Sequence, residues 1–85
     1  MLQGVSSLKE KRGIVKKIVE KTKNRFNMSV SETDYNDMWQ KSELGIAMIG
    51  NDSSYINSRL DKSVNFIESM NMAEIMDVNI EVISL

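Results

Sequence analysis

The 85-residue chain contains no cysteine and no histidine. Without cysteine there is no disulfide framework, thiol nucleophile or thiolate metal site. Without histidine the commonest general base and metal ligand is missing as well. Much of ordinary enzymology goes with them, and no catalytic group, metal or cofactor is expected. Long apolar runs are also absent: none approaches the roughly 18 residues that would span a bilayer, and the opening "MLQGVSSLKEKR" has no signal-peptide hydrophobic region. A cytoplasmic protein without a membrane partner is the expectation. Aromatic residues make up only 6% of the chain, which leaves few rings on which a nucleic-acid base could stack.

What is present suits one small domain over residues 1–85. A chain of this length buries roughly 60 to 65% of its unfolded surface and has little stability to spare. The apolar fraction of 41% and the charged fraction of 27% are those of a globular chain. The net charge of −1 conceals an asymmetry. Residues 9 to 25 carry eight of the eleven Lys and Arg against Glu10 and Glu20, a local +6, so three basic and ten acidic residues, −7, lie elsewhere. Such a distribution favours a negatively charged partner at one surface.

Ser7 followed by Glu10 predicts a capping box, each side chain satisfying an orphan amide at a helix start near Leu8. Ile14, Val15, Ile18, Val19 and Thr22 recur at helical spacing, and turning about 100° per residue gathers them with Leu8 on one side. The helix should end near Arg25. On the same wheel Lys9, Arg12, Lys16 and Lys23 form a stripe along one flank of the buried side. "FNMSVSE" alternates Phe26, Met28 and Val30 with polar residues, a strand with one buried face. "LGIAMIG" is apolar on both sides and predicts a central strand, or one whose second face meets a partner. The ten residues "TDYNDMWQKS" between them form a long hairpin connection. "GNDSS" offers Asp52 or Ser53 as a cap for a second amphipathic helix bearing Ile56, Leu60, Val64, Ile67 and Met70. "DVNIEVISL" alternates Val78, Ile80 and Val82 with polar residues and predicts a last strand. The order α, β, β, α, β is an α+β class, most of a ferredoxin-like plait with two helices on one face of an antiparallel sheet. Only "MLQGV" is available for its first strand.

"SLKEKRGIVKKI" and "NRFNMSVSETDYNDMWQKSELGIAMIGND" closely resemble the bacterial YlxP-like proteins, a family of unknown function. The resemblance runs from about Ser7 to the C-terminus. It is most specific in "SLKEKR" and in the spaced set Val30, Glu32, Asp37, Trp39, Gln40, Leu44 and Gly45. It implies a βαββαβ ferredoxin-like fold in a bacterial cytoplasmic protein, and it carries no catalytic residues. Genes of the family often sit near those of a translation initiation factor and a ribosome-binding factor, which implies a role around the ribosome. The chain departs from the family where a full first strand usually precedes "SLKEKR". In the order 4-1-3-2 that strand is central, so its loss opens a gap whose backbone groups need new partners. Three resolutions are open: a chain shortened at its start, a last strand that shifts onto "LGIAMIG", or a strand supplied by a second subunit.

The stripe of Lys9, Arg12, Lys16 and Lys23 reads as a phosphate-tracking surface for RNA or, more simply, as a solvated flank steadied by Glu20 with Lys16 or Lys23. Base stacking in the manner of an RNA-recognition module is not expected, since Phe26 is the single aromatic assigned to a strand and faces the core. Trp39, beside Tyr35 and Met38, is either an interface anchor or a cover for the open end of the core. Glu32, Asp34 and Asp37 fit no EF-hand spacing, and "GNDSS" lacks the P-loop pattern. If the helices cover one face of "LGIAMIG", either Ile46 and Met48 or Ala47 and Ile49 lie on the other. Ile46 and Met48, with Trp39, are the residues assigned to a partner interface. The function expected is binding, without catalysis, in translation or ribosome assembly, with ribosomal RNA or a ribosome-associated protein as partner. The alternative is a homodimeric interaction module joined through the open sheet face or edge.

Overall fold

In the computed structural model, which describes residues 4–83, the chain runs helix, strand, strand, helix. The first helix, α1 (Leu8–Phe26), starts at Ser7, whose hydroxyl accepts the Glu10 amide at 3.1 Å. The reciprocal half of the capping box is displaced by one residue. Glu10 Oε2 accepts from both the amide and the hydroxyl of Ser6, at 3.3 and 3.1 Å, because that residue presents two donors to one oxygen. At the other end Asn27 adopts the left-handed conformation (φ 53°) and its amide donates to the Lys23 carbonyl at 2.9 Å, closing the last turn.

The helix thereby includes Phe26, which sequence periodicity assigns to the following strand. Lys11, Val15, Ile18, Thr22 and Phe26 form its buried face at spacings of four, three, four and four. Phe26 continues the helical period, and its ring meets Phe66 in an edge-on contact with centroids 5.5 Å apart. Thr22 is tolerated in this face because its hydroxyl donates to the Ile18 carbonyl at 2.7 Å.

Strand β1 (Ser29–Asp34) pairs antiparallel with β2 (Glu43–Ala47), placing Val30 opposite Ile46 and Glu32 opposite Leu44, with a bulge at Thr33. Helix α2 (Ser53–Ser69) is capped by Asp52, whose carboxylate accepts the Ser54 and Tyr55 amides at 2.9 and 3.2 Å. The core joins Phe26, Met28 and Val30 to Val19 of α1, Ile46 and Met48 at the end of β2, and Leu60 and Phe66 of α2. Both helices thus contribute to one apolar cluster on the inner face of a two-stranded sheet, an α+β arrangement.

The expected last strand is not formed over its described part, residues 77–83. Val78, Ile80 and Val82 stay 48%, 37% and 37% exposed. Alternation prepares a segment for a sheet without supplying the neighbouring edge it must bond to. Residues 84–85 of that assignment, and 1–3 of the short first strand, lie outside the described residues. Gly4 and Val5 are not in a strand, although Val5 is buried.

Gly45 has a specific steric reason. A Cβ there would sit 2.7 Å from Thr33 Cγ2 across the bulge, while the Thr33 hydroxyl is held by Glu43 Oε1 at 2.8 Å. Gly45→Ala is expected to cost about 1 to 2 kcal/mol by overpacking. Adding Thr33→Ser, which removes the obstructing methyl, should recover most of that loss in urea unfolding. No recovery would place the cost elsewhere.

Candidate interaction site

Lys11 lies in the buried face of α1 and is completely shielded from solvent. Its ammonium is 2.5 Å from Glu32 Oε2, 2.9 Å from the Tyr35 carbonyl and 3.4 Å from the Asn36 carbonyl. An ammonium has three donors, and here it has three acceptors. The Ser42 hydroxyl donates to the same Glu32 oxygen at 2.5 Å. One cation on α1 therefore fixes β1 and both ends of the connection formed by residues 35–42.

That connection is shaped by local bonds as well. Tyr35 is left-handed at φ 62°, its amide donating to Asp34 Oδ1 at 2.7 Å and its carbonyl accepting from the Met38 amide at 3.0 Å. The Lys41 ammonium stands 4.2 Å from the centroid of the Tyr35 ring. On this frame Met38 and Trp39 are 49% and 51% exposed, so the indole presents about half its surface to solvent.

Lys9, Arg12, Lys16 and Lys23 are all exposed on α1. The pairs of Glu20 with Lys16 or Lys23 that would have steadied them are not made, Lys11–Glu32 being the ion pair found among the described residues. The stripe is a row of solvated cations along α1, with Val19 and Glu20 between Lys16 and Lys23. Ile46 and Met48, by contrast, are half-buried and pack against the core. Ile46 shares the inner face with Val30, its register partner, and so is turned away from any open sheet face. The outer face carries Ser29, Ser31 and Ala47 at alternate positions, and Ile49 beyond the end of β2 is 98% exposed.

Of the acidic residues, Glu32 is taken by Lys11 and Ser42, and Asp34 by the Tyr35 amide. No group of three His, Cys, Asp or Glu among the described residues is arranged to hold a metal ion. No described helix is long and apolar enough to cross a membrane. Lys11 itself escapes a reading that counts it with the other cations. Its signal is the spacing, four residues before Val15 and seven before Ile18, which puts it in the apolar stripe. Glu32, two residues after Val30 on an alternating strand, is then a carboxylate able to face it.

A model of the family described as "Protein of unknown function (DUF503)" matches residues 1–80. The chain belongs to the DUF503 family. It is also 36% identical over 69 residues to the uncharacterized protein YlxP of Bacillus subtilis, an alignment covering 81% of this chain and 75% of that relative. No solved structure matches. The resemblance to YlxP-like proteins is thus established. Its two most specific stretches, "SLKEKR" and the set containing Glu32, are the ones joined by Lys11–Glu32.

Replacing one partner of such a pair strands the other. Lys11→Met should destabilise the protein by about 3 kcal/mol, near the low end for buried pairs because Glu32 keeps 14% of its side chain exposed. Amide hydrogen exchange should rise most over residues 35–42, which lose their tether to α1. A uniform rise across the chain, without that local excess, would contradict the tether.

Proposed function

We propose that this is a non-enzymatic, cytoplasmic binding protein that presents the α1 flank of Lys9, Arg12, Lys16 and Lys23 to ribosomal RNA or an acidic ribosome-associated protein. The observation that carries the reading is the separation of two kinds of lysine on one helix. Lys11 is withdrawn and neutralised by Glu32, while the four stripe residues stay exposed and have no carboxylate partner among the described residues. The shared apolar cluster of α1, α2 and the inner sheet face supports treating the scaffold as a ferredoxin-like sandwich reduced to its central helix–strand–strand–helix unit. Contacts from such a flank go mainly to phosphates, so affinity should fall steeply with salt and show little sequence preference.

Co-sedimentation with bacterial ribosomal subunits at low and moderate salt tests this reading. The wild-type chain should bind in a salt-sensitive manner, and the triple variant Arg12→Glu, Lys16→Glu, Lys23→Glu should lose binding while keeping its circular dichroism. Unchanged binding by the folded triple variant would remove the stripe from the function.

A second reading, a homodimer joined at a sheet edge, is favoured by two observations: the exposed alternation of Val78, Ile80 and Val82, and a sheet of only two strands among the described residues. A strand-forming segment and an unpaired sheet edge have the same need of hydrogen-bond partners. Light scattering over a hundredfold concentration range should then show a dimer, dissociated by Ile80→Lys. A monomer throughout would dispose of it.

A further inference from the structure

A second cationic site lies where the end of α1 meets α2, and it does not depend on the stripe. The Arg25 guanidinium is 5.5 Å from the centroid of the Phe66 ring, and that of Arg59 is 5.0 Å from the centroid of Phe26. Both guanidiniums thus have aromatic faces as neighbours. Arg59 Nη2 donates to the Phe26 carbonyl at a long 3.4 Å, while its Nε is buried with no hydrogen-bond partner. A buried N–H of a charged group without an acceptor is costly, and a guanidinium edge is suited to bidentate pairing with an oxyanion.

Arg59 and Phe26 line both of two adjoining shallow clefts. One, of about 520 Å³, adds Arg25, Lys62 and Asn65 and is therefore rich in donors. The other, of about 500 Å³, adds Met48, Ile49 and Tyr55. Ile49 is 98% and Tyr55 56% exposed, so large apolar surfaces stand open beside the cations. An anion alone would use the first cleft and leave the second empty. A purely apolar ligand would leave the cations of the first cleft, Arg25, Arg59 and Lys62, without an anionic partner.

The geometry points to a nucleotide site, with a phosphate held by Arg59, Arg25 and Lys62 and a base resting against Tyr55 and Ile49. Phosphate pairing with guanidinium and base contact with an aromatic ring are the two interactions by which proteins hold a nucleotide unit, free or within a single strand of RNA. Arg25 reaches Phe66 of α2, so this site faces α2, whereas the wheel places the stripe on the other flank of α1. Loss of ribosome binding in the triple stripe variant neither supports nor harms it.

The test is a titration of the ¹⁵N-labelled full chain, followed by amide chemical shifts, with inorganic phosphate, adenosine 5′-monophosphate and a hexaadenylate RNA in turn. Saturable shifts at Tyr55, Arg59, Lys62 and Asn65 are expected, with the nucleotide or the RNA binding more tightly than phosphate. Tighter binding of the monophosphate would identify a free nucleotide as the source of the phosphate, and tighter binding of the hexamer an RNA strand. Lys62→Gln, at an exposed position, should weaken binding by about fivefold, equivalent to about 1 kcal/mol. Tyr55→Ala should bring the monophosphate down to the affinity of inorganic phosphate. The stripe triple variant should bind the monophosphate as the wild type does. Absence of saturable shifts with all three probes, shifts confined to Lys9, Arg12, Lys16 and Lys23, or neither the monophosphate nor the hexamer binding better than phosphate would each overturn the assignment.

Discussion

The contact on which the rest of this structure depends is the buried ammonium of Lys11. A charge withdrawn from water carries a large desolvation cost and must find acceptors in the interior. Glu32 and two carbonyls supply them, and in doing so they fix where β1 and the connection after it lie against α1. The apolar contacts around Val15, Ile18 and Phe26 supply most of the packing, but they are tolerant of small slides along the helix. The three acceptors around one nitrogen are not.

The same contact sorts the positive charge of the chain. Seven of the eight basic residues between positions 9 and 25 are exposed, and Lys11 alone is internal. Four of these cations form the stripe on one flank of α1, while Lys17, Lys21 and Arg25, spaced four apart, follow the other flank, where Arg25 joins Arg59 and Lys62 beside α2. A basic segment that looks continuous in sequence therefore becomes two surfaces of different chemistry. The stripe is all charge, suited to a phosphate backbone. The site beside α2 mixes cations with rings and an exposed isoleucine, which suits a ligand that has both an anionic and a planar part.

Most of the fold was legible because helical and strand periods are strong signals where the apolar residues stay on one side. Val15, Ile18 and Thr22 announced α1, Leu60 and Ile67 announced α2, and Val30 announced the inner face of β1. Phe26 was assigned to the strand because its alternation with Met28 mimics a strand start, yet it also stands four residues after Thr22, and the left-handed turn at Asn27 decides the boundary. For a different reason the C-terminal alternation does not become a strand, since sequence specifies which face of a strand is apolar without specifying that an edge is available. The four cations of the stripe are exposed, as the helical wheel requires of that flank. Ile46 and Met48 were assigned to the wrong side of the sheet because "LGIAMIG" offers no alternation to choose between faces, whereas the register with Val30 does choose. Arg59 and Arg25 were invisible as a pair, being far apart in sequence and brought together only by the packing of the helices.

The most direct measurement of the central claim is the ammonium spectrum of the lysines by ¹⁵N-detected or ¹H–¹⁵N NMR at neutral pH. Exposed ammonium groups lose their protons to water too quickly to give sharp signals, whereas one that is fully buried and bonded to three acceptors exchanges slowly. A single protected ammonium resonance is expected, assigned to Lys11 by its disappearance in Lys11→Arg and shifted in Glu32→Gln. A spectrum with no protected lysine, or with protection that ignores Glu32, would contradict it.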